Sequence, residues 1–173
     1  MPVATPILLS LLCLTIAWFD LYARRVPNGL LLLCLVIQLF ALGFAQPTPE
    51  SSLAGHALGL AVGLLVLLPL YVLGWMGAGD VKFFAVLGFF LGVTPLLPIW
   101  IIASLLAGLH ALILIGMRHY LQPLHVLQKL LTQWQGSHWG QHVMQARAGR
   151  QGLPYATYLA IAALMVIHYP ITL

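Results

Sequence analysis

The chain has 173 residues, of which 62% are apolar and 6% charged, against about 25% charged in soluble domains. Seven basic and three acidic residues give a formal net charge of +4, and so few charged side chains cannot cover a water-facing surface. This excludes a soluble enzyme, a nucleic-acid-binding domain and a disordered tail. It points to a single integral membrane domain over residues 1–173, with the lipid bilayer as partner and no nucleic acid.

Six apolar runs approach the ~17–25 residues that a spanning helix needs: Val3–Phe19, Gly29–Ala45, Leu53–Gly74, Val81–Val93, Ile99–Met117 and Leu153–Tyr169. The fourth is short unless it borrows the glycine-rich turn ahead of it. Unbroken runs argue against a β-barrel, whose strands alternate with period two. The expected fold is therefore an all-α, polytopic bundle of about six transmembrane helices in a plasma or inner membrane. No basic residue precedes the first run, so it does not read as a cleavable signal peptide. The pair Arg24-Arg25 follows that run and is no twin-arginine export signal.

Basic residues mark the odd-numbered connections: Arg24 and Arg25 in the first, Lys82 at the third, and Arg118, Lys129, Arg147 and Arg150 in the fifth. Positive-inside bias then predicts cytoplasmic odd connections and both termini outside. In the fifth connection, about 118–152, Leu121, Leu124, Leu127, Leu131 and Trp134 recur at the period of one helix face. An amphipathic interfacial helix fits, and so does a plain tether. Gly55, Gly59 and Gly63, with Gly88 and Gly92, have the spacing that lets helices pack closely in lipid. Cys13 and Cys34 lie inside apolar runs and read as small apolar fillers.

Chemistry is confined to few positions. Of the three carboxylates, Glu50 lies between helices two and three beside Pro47 and Pro49, where a solvated acid needs no explanation. Asp20 and Asp80 each sit where an apolar run meets a cytoplasmic connection. Membrane-edge carboxylates are costly to keep, so function is the default reading. Two close together cannot both ionise and come to share a proton. Such a pair supplies an acid and a base for peptide hydrolysis by activated water. Asp80 ends the segment Gly77-Ala78-Gly79-Asp80, followed by Val81-Lys82. Glycines at 77 and 79 let another chain approach closely, and such a strip beside the acid could pair with an extended substrate.

The stretch Asp20-Leu-Tyr-Ala-Arg-Arg25-Val-Pro27-Asn28, with Gly77-Ala-Gly79-Asp80-Val-Lys82 downstream, resembles the type IV prepilin peptidase family of GxGD intramembrane aspartic proteases. Within it, the chain is similar to the short TadV/CpaA-like form associated with Flp pili. Val26 replaces the family's Ile in its Arg-Ile-Pro-Asn run, and Leu153-Pro-Tyr-Ala156 resembles its Pro-Tyr/Phe motif. The resemblance implies Asp20 and Asp80 as the catalytic pair, a prepilin-like membrane protein as substrate, and no cofactor. It also places Arg25, Pro27, Asn28, Gly77, Gly79 and Lys82 in positioning roles. Long family members carry a methyltransferase insertion with cysteine pairs in the first loop. Here that loop is about ten residues, from Asp20 to Gly29, and has no cysteine, so methyl transfer is not expected.

Other residues weigh less. Lys82 is expected to snorkel to the interface rather than tune Asp80, because positions i and i+2 do not face each other on a helix. His138 and His142 lack the Glu of a zinc-peptidase motif, so no metal site is expected. His110 is expected to be packed or to face a cavity. The rival functions are a proton-coupled transporter or channel using the two Asp, and a non-catalytic scaffold for pilus assembly.

Overall fold

Where a long apolar run lacks breakers, helix is the only way for its backbone to satisfy itself in lipid. A computed structural model describes residues 4–44, 52–120 and 153–169, and among them six α-helices and no strand. These are α1 (Ala4–Ala23), α2 (Asn28–Phe44), α3 (Leu53–Val72), α4 (Ala78–Leu91), α5 (Leu96–Tyr120) and α6 (Tyr155–His168). Three of them, α1, α3 and α5, are long and apolar enough to cross a membrane. The fold is an all-α membrane bundle. The expected helix in the fifth connection, His138, His142 and Glu50 lie outside the described residues.

The ends differ from the apolar runs for local reasons. Helix α1 runs through Asp20 to Ala23 instead of stopping at Phe19, because a charge marks the membrane edge without breaking a helix. It ends at Arg24, which takes a left-handed conformation (φ 50°), three residues before Pro27. At the other end of α3, Leu73 caps the helix and Gly74 (φ 75°) follows. The Gly74 N–H donates to the Tyr71 carbonyl and the Trp75 N–H to that of Leu70, each at 2.9 Å. This is a Schellman motif, whose left-handed position favours glycine. Helix α4 does borrow the glycine-rich turn, starting at Ala78 with Gly77 as N-cap.

Helix α3 packs along α4, and α6 packs between α1 and α5. The first pair meets through glycine. A Cβ on Gly59 would run into the backbone of Gly88, one on Gly88 into that of Gly59, and one on Gly63 would lie 2.9 Å from the Phe84 carbonyl. Gly55 has no such neighbour: its nearest is the Ser52 hydroxyl, at 3.3 Å. Gly92 (φ 80°) turns the chain after α4. The expectation of glycine-mediated packing therefore holds at 59, 63 and 88. Cys13 and Cys34 are buried, free thiols within the apolar core.

Candidate active site

The N-terminus of α6 organises the site. A helix start leaves backbone N–H groups without intrahelical partners, and here the N-cap is Pro154, whose side chain offers no acceptor. Two carboxylates from elsewhere take those donors. Asp20, on the last turn of α1 and only 6% exposed, accepts at Oδ2 from both the Thr157 N–H and the Thr157 hydroxyl, each at 2.9 Å. Asp80, in the first turn of α4, accepts from the Ala156 N–H. The positive end of the α6 dipole thus faces both acids.

Asp80 is fixed from its own helix as well. Its Oδ2 accepts the Gly77 N–H at 3.2 Å, the reach-back of a capping-box acid at N3. Asp80 precedes the apolar run that begins at Val81. Burial, and then the neighbouring charge of Asp20, hold its carboxyl above the ordinary carboxylate range, against the opposing pull of the Gly77 and Ala156 N–H donors. Two acids from the ends of different helices, 60 positions apart in sequence, therefore feel each other's charge.

A cleft of about 830 Å³ opens over the pair. Asp20, Arg24, Arg25, Asn28, Trp75, Gly77, Gly79, Asp80, Lys82 and Tyr155 are among the residues lining it. Every expected site residue except Pro27 is in that lining. Pro27 shapes the loop from behind, its carbonyl accepting the Leu31 N–H at the start of α2. Lys82 is exposed and donates from Nζ to the Asn28 side-chain oxygen at 3.3 Å, so it ties α4 to the first connection. His110 is packed as expected, its Nδ1 2.6 Å from the Tyr158 hydroxyl. Among the described residues no three potential metal ligands gather.

The close approach at Gly79 is made by this chain itself. A Cβ there would stand 3.0 Å from the Val26 Cβ, so Gly79 gives room to the first connection. Gly79→Ala should therefore leave the bundle folded yet lower site activity roughly 10- to 100-fold, because small displacements of reacting groups are expensive. Adding Val26→Ala should recover much of that loss. Kinetics of the single and double variants would check this, and equal losses in both would show that Val26 is not the obstacle.

Thr157 was not anticipated from sequence. A threonine in an apolar run reads as helix face. The available signal was Pro154 at a helix start, which leaves the next N–H groups in search of an acceptor from elsewhere in the fold.

The model of the type IV leader peptidase family matches residues 7–112. The chain is also similar to the prepilin leader peptidase/N-methyltransferase of Bacillus subtilis (strain 168), with 33% identity over 117 residues. That match covers 65% of this chain and 46% of the relative, so the chain spans about half the length of the curated protein it matches. No solved structure matches.

Proposed function

This chain belongs to the type IV leader peptidase family, and from that premise we propose that it is an intramembrane aspartic endopeptidase removing the leader of Flp-type prepilin-like proteins. The observation that carries this reading is the convergence of Asp20 and Asp80 on the start of α6, under an open cleft. With one proton between them, the pair has both partners that hydrolysis requires. Asp80, raised by burial and by Asp20, holds the proton and hydrogen-bonds the scissile carbonyl. Asp20 takes a proton from water as the water attacks that carbonyl. The tetrahedral intermediate then collapses, the peptide C–N bond breaks, and a proton passes to the leaving amine.

The substrate type expected of the family has a basic leader followed by a hydrophobic helix. At the rim of the cleft, Trp75, 77% exposed, is the kind of residue that sits at a membrane interface. The leader would lie in the aqueous cleft while the hydrophobic segment stays in lipid. In this reading the site lies at the cytoplasmic face of a bacterial inner membrane, in a single multi-pass domain with both termini outside, an orientation that the basic residues of the odd-numbered connections support.

Orientation is testable in intact cells. With Cys13 and Cys34 replaced, a single cysteine at Ser51 should react with an impermeant reagent from outside, and one at Gln141 only after permeabilisation. Labelling of both from outside would reverse the orientation. The activity itself is tested by incubating purified protein in vesicles with a prepilin-like peptide. A product cut at the leader boundary is expected; a transporter or an assembly scaffold would leave the peptide intact.

A further inference from the structure

We propose that Thr157 is a positioning residue for the reaction, holding one oxygen of Asp20 at the start of α6 so that the carboxylate keeps its place beside Asp80. This rests on the peptidase reading of the same site. Two donors from a single residue, the backbone N–H and the hydroxyl, converge on Oδ2 of Asp20, each at 2.9 Å. A carboxylate gripped at one oxygen by two donors cannot rotate about its Cβ–Cγ bond without breaking both. Oδ2 is thereby committed to α6. The next N–H back, that of Ala156, goes to Asp80. One turn of helix thus sets the spacing of the two acids, because consecutive amides hold one each.

Thr157 is 5% exposed and is absent from the cleft lining, so it does not meet substrate. It must act through Asp20. The hydroxyl is the separable half of the grip, since the N–H remains whatever the side chain. Other charged or titratable groups near Asp20 are Asp80 on α4, Arg24 at the end of α1 and Tyr158 on α6, the last bonded to His110 on α5.

The test compares Thr157→Val, Thr157→Ser and Thr157→Ala with wild type and Asp20→Asn, by kcat and KM per folded molecule in vesicles. Valine keeps the branched shape and loses the hydroxyl. Its kcat should fall roughly 10- to 100-fold, the effect of one hydrogen bond to a charged group, with KM unchanged. Serine should retain near wild-type kcat, although it is smaller. If valine fails to accumulate, alanine against serine asks the same question, as the two differ by the hydroxyl alone. A packing role would instead lower thermal stability in serine and alanine alike and leave kcat per folded molecule untouched. That result, or wild-type kcat in Thr157→Val, would overturn the proposal while leaving the peptidase reading in place. Failure of wild type to cleave, or full activity in Asp20→Asn, would remove both.

Discussion

Asp20→Asn and Asp80→Asn are each expected to reduce leader cleavage by on the order of 10⁴-fold or more, with the protein still inserted at normal levels. Asparagine keeps the size of aspartate and much of its hydrogen bonding, but it can neither accept water's proton nor share one. At position 20 the Thr157 donors can still meet an amide oxygen, and at position 80 the Gly77 N–H can do the same. Folding should therefore survive where chemistry does not. The double variant should be hardly slower than either single one, since the pair works as a unit. Glu50→Gln serves as control and should cleave normally. Near wild-type turnover in either single asparagine variant, measured on the same prepilin-like peptide, would break the two-acid mechanism.

The second large effect is expected far from the chemistry. Gly59→Ala and Gly88→Ala each insert a methyl group into the backbone of the opposite helix. Backbone cannot swing aside as a side chain can, so α3 and α4 must separate along their contact. The loss should be at least ~2 kcal/mol, read as a fall in the thermal unfolding midpoint in detergent. Activity should fall too, because α4 carries Asp80. Gly55→Ala, one turn before Gly59 and clear of the α4 backbone, should change stability by less than ~1 kcal/mol. There the added methyl meets only the Ser52 hydroxyl, which already accepts the Gly55 N–H at 3.1 Å. Equal losses at 55 and 59 would show that helix crossing is not what selects these glycines.

The fold class was legible because lipid leaves the backbone few choices, and a chain with so little charge has no alternative solvent. The acids were legible for the same reason: with three carboxylates in 173 residues, each stands out. Helix ends were less so. Asp20 looked like the end of α1, but a membrane boundary and a helix boundary are set by different physics, and the helix continues to Ala23. Contacts across the fold were hardest to see. The spacing of Gly59 and Gly88 suggested close packing without naming the partner, and nothing beside Gly79 in sequence announced that it packs against Val26 while also lining the cleft. Thr157 and the bond from Lys82 to Asn28 join residues more than 50 positions from their partners. No local pattern encodes such pairings.

The pH dependence of kcat for the wild-type protein in vesicles tests most directly whether Asp20 and Asp80 share one proton. A shared proton requires activity to fall on both sides: in acid, where both carboxyls are protonated, and in alkali, where neither is. The sign of the alkaline limb follows from Asp80. Its carboxyl is raised by burial and by Asp20, so the protonated acid persists above the ordinary value of about 4 and is lost as pH rises through the raised one. The predicted result is a bell-shaped profile whose alkaline limb lies above the ordinary carboxylate range. A profile with one limb only, or activity lost on the alkaline side already near pH ~4, would contradict the shared proton.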